Sequence, residues 1–148
     1  MRAAFAAMVL MASVAATQLA VAETASVAAA PEPQWNCDDP VAQQEMNYCA
    51  AQDFHAADAV LNAQWKITAE GMKQADRETG PDFDDGRPGY FATLLEAQRA
   101  WIKYRDGQCA SEGYMFRGGS LEPFIVAGCR TRLTKMRTQE LRDLESAE

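Results

Sequence analysis

Four cysteines limit the folds open to this chain of 148 residues more than any other feature of its sequence. An even number of cysteines in a short exported chain is the usual pattern of a disulfide framework, in which each bond fixes two distant points of the backbone. Their spacings fit no standard zinc site, and a single histidine is available to complete one. We therefore predict two disulfides and no bound metal, from the residues Cys37, Cys49, Cys109 and Cys129.

The N-terminus has the pattern of a secretory signal. A single basic residue precedes an apolar run over residues 3–16, which is too short to span a bilayer. Ala20 and Ala22 put small side chains at the two recognition positions of a signal peptidase site, so we expect residues 1–22 to be removed. No later stretch approaches the roughly 20 apolar residues that a membrane helix needs. These features predict a periplasmic or secreted protein without a membrane span.

The charge balance limits the classes of partner. The chain has 21 acidic and 14 basic residues and a formal charge of −7, and loss of the signal would remove only Arg2 from this balance. Because phosphate binding depends on excess lysine and arginine, the composition argues against a nucleic acid partner. An acidic domain is better suited to a basic protein, since opposite net charges speed the encounter, although net acidity is also common in ordinary soluble proteins.

Folded structure is expected to begin near Asn36. Residues 23–35 are rich in Ala, Pro and Glu, and their prolines block regular structure, which predicts a flexible N-terminal lead. Asp39 before Pro40 predicts the start of a helix, because Asp can cap free amides and Pro at the first helical position loses no hydrogen bond. We expect one domain over residues 36–148.

Apolar side chains recur at helical spacing in three stretches. They follow one another mostly at intervals of three or four residues over 40–76, over 90–110 and from residue 121 onward. Loops rich in glycine separate the stretches, and no sustained alternation of apolar and polar residues predicts a strand. The predicted fold class is all-α, a small antiparallel three-helix domain with up-down-up topology that is stapled by disulfides.

Bundle geometry favours one of the three possible disulfide pairings. Up-down-up packing brings Cys37 and Cys109 to the same end of the bundle, and it places Cys49 and Cys129 at similar depths, about 12 to 14 Å inside their helices. The favoured pairs are therefore Cys37 with Cys109 and Cys49 with Cys129. The local pair Cys37 with Cys49 is the alternative, and it requires the chain before Pro40 to fold back along the first helix, because bonded alpha carbons lie within about 7 Å.

Long polar side chains interrupt the apolar stripe of the second helix. Gln98 and Arg105 lie on or beside its buried face and must find partners there. We expect them to bond Asp58, Asn62 or main-chain carbonyls across the helix interface. These four residues form a predicted polar seam, whose role is structural rather than catalytic.

The sequence shows no catalytic constellation. His55 is the only histidine and hence the only imidazole base, and the cysteines are expected to be oxidised. Neither a Gly-x-Ser-x-Gly elbow nor a His-Glu-x-x-His helix occurs, and no phosphate-binding glycine loop is present. We predict a protein that is not an enzyme and that needs no cofactor.

Several separate motifs appear together in one order. They are Asn-Cys at 36–37, QEMNYC at 44–49, ADAVLN at 57–62, EAQRAWIKYRD at 96–106 and GGS at 118–120, with Cys109 and then Cys129, Leu133 and Arg137. In this combination the chain resembles the LprI-like lysozyme inhibitor family over nearly the whole predicted domain. One departure is the glycine- and aspartate-rich insert over 79–89. The resemblance implies a helical envelope or secreted domain and, from the family's name, inhibition of lysozyme.

Two functions are compatible with these features. The first is a periplasmic or secreted inhibitor that binds a basic c-type lysozyme and blocks peptidoglycan hydrolysis, with a loop in the cleft that holds the two catalytic carboxylates. The alternative is a non-enzymatic interaction or structural module that binds another envelope component. The oligomeric state stays open in both.

One loop has the composition of a contact site. Tyr114, Met115, Phe116 and Arg117 lie between glycines, and exposed aromatic side chains with arginine are the usual anchors of a protein interface. We expect these four residues to contact the partner. The competing interpretation is that Tyr114 and Phe116 cover the end of the bundle.

Overall fold

Three α-helices make up most of the computed structural model, which describes residues 35–80 and 85–146. The helices are α1 (Gln43–Thr79), α2 (Tyr90–Gly113) and α3 (Glu122–Ser146), and one turn of 3-10 helix (Tyr114–Phe116) follows α2. No strand occurs in these two stretches, so the all-α prediction is confirmed. The predicted signal over residues 1–22, and all but the last residue of the predicted lead over 23–35, lie outside the described residues.

Contacts between the helices fix their directions. Asn47 Nδ2, in the second turn of α1, donates to the carbonyl of Ser120, just before α3, at 3.0 Å. Further along both helices, the hydroxyl of Thr68 donates to the carbonyl of Leu141, also at 3.0 Å. α1 and α3 therefore run in the same direction. α2 returns between them, because it ends where α3 begins, and the predicted up-down-up topology is confirmed.

The start of α1 differs from the prediction. The helix begins at Gln43, not at Pro40, and Asp39 does not cap it. Instead the carboxylate of Glu45 reaches back from the first turn and accepts the backbone amides of Val41 at 2.9 Å and Asn36 at 3.1 Å. The N-terminal segment, residues 37–42, is thereby held beside the first turn rather than in line with it.

The two predicted disulfides are confirmed, but the favoured pairing is wrong. The bonds join Cys37 to Cys49 and Cys109 to Cys129, each with alpha carbons 5.4 Å apart. Because α1 starts later than predicted, the N-terminal segment is free to fold back along the helix and bring Cys37 to Cys49. Cys109 then pairs with the adjacent helix α3, so that each bond closes a local loop rather than linking the ends of the chain.

The core contains few large apolar side chains. One cluster is formed by Leu61, Leu94 and Leu141 with Trp65, Met72 and Trp101 packed against it, and a second by Cys109, Cys129 and Leu133. Between the clusters, Thr134 and Thr138 are 0% and 3% exposed. The Thr138 hydroxyl donates to the Thr134 carbonyl at 2.9 Å, so α3 itself satisfies this buried polar group.

We expect mild reduction to open the Cys37–Cys49 bond before the Cys109–Cys129 bond. Cys37 is exposed, whereas Cys109 and Cys129 are 0% and 4% exposed, and an attacking thiolate must reach the sulfur. Limited treatment with dithiothreitol, followed by alkylation and peptide mass spectrometry, should label Cys37 and Cys49 first. The unreduced peptide map checks the pairing, and equal labelling of all the cysteines would contradict this expectation.

Replacing Glu45 with Gln is expected to lower thermal stability near neutral pH but not in acid. The Val41 amide that donates to Glu45 holds the pKa of this carboxyl below its ordinary value. The charged form therefore stabilises the fold above the unfolded-state pKa, and this contribution is lost as the pH falls through the folded-state pKa. Melting temperatures at about pH 7 and about pH 3 test this, with Glu96→Gln as an exposed control that should change neither value.

Candidate partner-binding surface

The four residues predicted to contact a partner form an exposed turn at the end of the bundle where α2 meets α3. Tyr114, Met115 and Phe116 make up the 3-10 helix and are 59%, 83% and 41% exposed. The Arg117 guanidinium lies 5.1 Å from the centre of the Tyr114 ring. Of these side chains, Phe116 is the least exposed and covers part of the end of the bundle. Tyr114 and Met115 lie mostly in solvent. We call residues 114–117 the exposed turn.

Tight contacts on both sides position the exposed turn. Before it, a side chain at Gly113 would place a Cβ 2.5 Å from Cγ2 of Val126, so only glycine lets α2 approach α3 this closely. After it, Gly118 has φ 77°, and its amide donates to the Glu122 carboxylate in the first turn of α3 at 2.8 Å. The apolar side chains of the turn are thus presented on a fixed backbone.

The predicted polar seam is brought together in part. Arg105 is 9% exposed, and its Nη1 lies 3.2 Å from Oδ1 of Asp58 on α1. Asn62 Nδ2 in turn donates to Oδ2 of Asp58 at 2.9 Å. Arg105 Nε also pairs with Asp106 at 3.0 Å, and Nη1 reaches the Thr134 hydroxyl on α3 at 3.5 Å. One buried guanidinium therefore contacts all three helices.

Gln98 lies apart from this cluster. Its Oε1 accepts Nε of Arg137 on α3 at 2.9 Å, and Arg137 Nη1 pairs with Glu140 at 2.9 Å. Arg137 is among the residues by which the sequence resembles the family, but no partner was predicted for it. Its spacing beside the apolar stripe of α3 was the one indication that it faces another helix. Gln98 thus links α2 to α3. The expected hydrogen bond to Asp58 or Asn62 on α1 is not formed.

Aromatic rings lie on either side of the Arg105 guanidinium, which we call the central guanidinium. Arg105 Cζ lies 5.2 Å from the Phe54 ring centre and 5.1 Å from that of Trp101. Arg130 Cζ lies 5.8 Å from the same Phe54 ring, and its Nε is 3.4 Å from Oδ1 of Asp106. This arrangement of cations, carboxylates and rings holds helices together and places no nucleophile beside a base.

His55, the single histidine of the sequence, takes no part in the ion pairs of this cluster. His55 is exposed, with its ring 5.7 Å from that of Phe54. Among residues 35–80 and 85–146, no group of three His, Cys, Asp or Glu side chains could hold a metal ion. Within the same stretches, no helix has the length and apolar character needed to cross a membrane.

A groove of about 840 Å³ lies at the opposite end of the bundle from the exposed turn. Its lining includes Met72, Asp76, Tyr90, Leu94, Arg137 and Leu144. The Asp76 carboxylate caps α2 by accepting the amides of Tyr90 at 2.6 Å and Phe91 at 3.1 Å. Arg137 is already paired with Gln98 and Glu140, so Asp76 and Arg137 both serve the fold.

Removing the central guanidinium is expected to destabilise the bundle strongly. Arg105→Ala should lower the free energy of unfolding by about 2 to 3 kcal/mol, because it breaks charge-assisted contacts to both neighbouring helices. Arg105→Lys should recover only part of this loss, since an ammonium cannot reproduce the fork geometry of the guanidinium. Urea unfolding measures both, with exposed Arg99→Ala on the same helix as control. Equal midpoints for Arg105→Ala and Arg99→Ala would show that the seam contributes nothing.

Comparison with known proteins gives consistent results. A family model described as "Lysozyme inhibitor LprI" matches residues 37–141, which include both disulfides, the polar seam and the exposed turn. An uncharacterized protein of Rhizobium meliloti (strain 1021) is 48% identical over 120 residues, which cover 80% of this chain and 86% of that relative. No solved structure matches the chain. The resemblance seen in the sequence motifs is thereby confirmed.

Proposed function

The chain belongs to the lysozyme inhibitor LprI family, and from this premise we propose that it binds a lysozyme outside the cytoplasm and blocks the hydrolysis of peptidoglycan. The observation that carries the proposal is the family match over residues 37–141. Family membership and the two disulfides indicate an extracytoplasmic protein. Export through cleavage of residues 1–22, to the periplasm or beyond the cell, belongs to the same proposal.

The exposed turn is the proposed contact. Met115 and Tyr114 offer apolar surface to a partner, and Arg117 adds a cation beside them. Because Gly113 and Glu122 fix the backbone on either side, little conformational entropy is lost when the turn docks. A rigid projection of this kind is suited to a concave site on the partner.

The active-site cleft of a lysozyme is a concave site of suitable chemistry. Such an enzyme holds two carboxyl groups across the cleft in which it cleaves the glycan. The Arg117 guanidinium can form charge-assisted hydrogen bonds with a carboxylate there, while the neighbouring side chains exclude water and substrate. Inhibition then results from occupation of the cleft and needs no chemical step in the inhibitor.

Net charge favours the same partner. The chain has a formal charge of −7, and c-type lysozymes are commonly basic, so the two proteins attract each other before contact. This attraction is screened over a Debye length of about 10 Å at 0.1 M salt. Association should therefore slow as salt rises.

Inhibition of a basic c-type lysozyme on peptidoglycan by the oxidised protein tests the proposal. We expect dose-dependent inhibition that weakens between about 50 mM and about 500 mM NaCl. Met115→Ala and Arg117→Ala should each raise the half-inhibitory concentration about 10-fold or more, because they remove contact anchors. Met136→Ala and Arg142→Ala, which truncate exposed side chains of the same types on α3, should leave it unchanged.

Absence of binding at micromolar concentration would contradict the proposal. The chain would then be a non-enzymatic module that binds another envelope component. Neither the exposed turn nor the net charge identifies that component. If both turn variants still inhibit as the wild type does, the inhibitor function stands and the contact lies elsewhere on the surface.

A further inference from the structure

We propose that the N-terminal segment, residues 37–42, is a second part of the partner interface and contacts a basic rim around the site that receives the exposed turn. This inference rests on the proposed function and extends it to a surface that the sequence did not single out. The partner of the N-terminal segment is a protein surface on which lysine and arginine side chains surround an acidic, concave centre.

The N-terminal segment and the exposed turn lie at the same end of the bundle. Asn47, in the second turn of α1, donates to the carbonyl of Ser120 in the connection between the exposed turn and α3. The segment folds back beside those same first turns of α1, where Cys37 is bonded to Cys49. A partner that docks on this end of the bundle can therefore reach both.

The most exposed large apolar side chains of the described residues lie at this end. Met115 in the exposed turn is 83% exposed and Val41 in the N-terminal segment is 81% exposed, the highest values among the large apolar side chains of residues 35–80 and 85–146. Other exposed apolar residues, such as Val60 and Ile67 at 50% and 53%, lie along the middle of α1. The two most solvated apolar side chains thus occupy two neighbouring elements at one end of the fold.

The N-terminal segment is held in place although it has no regular structure. The Cys37–Cys49 bond ties one side of it to α1, and the Glu45 carboxylate accepts the Val41 amide at 2.9 Å on the other. Trp35, just before the segment, packs edge-on against Tyr48 with ring centres 5.1 Å apart. Because three tethers hold this segment in place, little conformational entropy is lost when Val41 docks on a partner.

Charge identifies the kind of partner. Asp38 and Asp39 are exposed, and neither carboxylate has a hydrogen bond or ion pair within the described residues. Several acidic side chains elsewhere are engaged, as Glu70 is with Arg77 and Glu112 is with Arg132. Asp38 and Asp39 are consecutive residues close to Val41 in the sequence. Two unpaired carboxylates beside Val41 favour lysine and arginine on the facing surface.

Opposite charges on the two elements also set an orientation. Arg117 places a cation on the exposed turn, whereas Asp38 and Asp39 place anions on the N-terminal segment. A partner with an acidic centre and a basic rim pairs with both when the exposed turn lies at the centre and the N-terminal segment lies at the rim. Exchanging the two positions brings like charges together.

Binding to a basic c-type lysozyme, measured by surface plasmon resonance with the full oxidised protein, tests the inference. Val41→Lys should weaken the affinity about 10-fold, whereas Val60→Lys, the same change in the middle of α1, should leave it within about twofold. The double variant Asp38→Asn/Asp39→Asn should slow association at low salt more than Asp53→Asn/Glu96→Gln, which changes net charge equally at exposed positions elsewhere. Cys37→Ser/Cys49→Ser should weaken binding while Val41 is still present, because the segment is no longer tethered.

The outcomes separate this inference from the proposed function. If Met115→Ala loses binding while Val41→Lys and the aspartate double variant bind like the wild type, the N-terminal segment is not part of the interface and the inhibitor function stands. If the wild-type protein does not bind, both proposals are wrong. A change in self-association with Val41→Lys in analytical ultracentrifugation, without a change in lysozyme binding, would assign the surface to a second copy of the chain and overturn the inference.

Discussion

The buried bond between Cys109 and Cys129 is the constraint on which the rest of this small bundle depends. It joins the last turns of α2 to the second turn of α3 and lies in the second core cluster with Leu133. The loop that it closes contains the whole exposed turn. Because this crosslink restricts the unfolded chain as well as the folded one, it stabilises the fold and confines the turn at the same time. A glycine at position 113 and a carboxylate at 122 then determine how the turn leaves one helix and enters the next.

The central guanidinium, that of Arg105, determines how the helices meet in a core that has few large apolar side chains. Arg105 touches Asp58 on one helix and Thr134 on another, between the rings of Phe54 and Trp101. A buried charge of this kind contributes little net stability over an apolar core, but it penalises any packing that leaves the charge unpaired. The polar seam therefore specifies which faces of the helices meet, and the disulfides and leucines supply the stability.

Helical periodicity predicted the number of helices, their order and the start of α2 at Tyr90, because these follow from repeated local spacing. It missed the start of α1. Asp39 before Pro40 is typical of a helix start, but here the Glu45 carboxylate and the Cys37–Cys49 bond hold this part of the chain outside the helix. The disulfide pairing could not be predicted for the same reason, because it depends on the direction of a segment without periodicity. On α3 the apolar pattern favoured Met136 as a buried residue, yet Met136 is 53% exposed whereas Thr138 is 3% exposed. Hydropathy cannot register a hydroxyl that its own helix satisfies.

The candidate surface was predicted in the same uneven way. Glycines around positions 114–117 indicated an exposed turn because glycine marks chain reversals, and the polar seam followed from charged residues on an apolar stripe. Gln98 was assigned to the wrong helix, because three helices offer two possible partners at each position. The exposure of Val41 was not predictable, since one valine before a helix carries no signal until its surroundings are known.

The parallel pair of α1 and α3 has a consequence for the length of the molecule. Two hydrogen bonds between these elements, from Asn47 to Ser120 and from Thr68 to Leu141, have the same sequence offset of 73 residues, so α3 lies opposite residues 49–73 of α1. At a rise of about 1.5 Å per residue, α1 overhangs its neighbour by roughly 9 Å at each end. Each overhang has a contact of its own: Trp35 packs against Tyr48 at one, and the start of α2 at Tyr90 is hydrogen-bonded to Asp76 at the other. The two ends of α1 therefore depend on these contacts, whereas its middle is held along its length by α3.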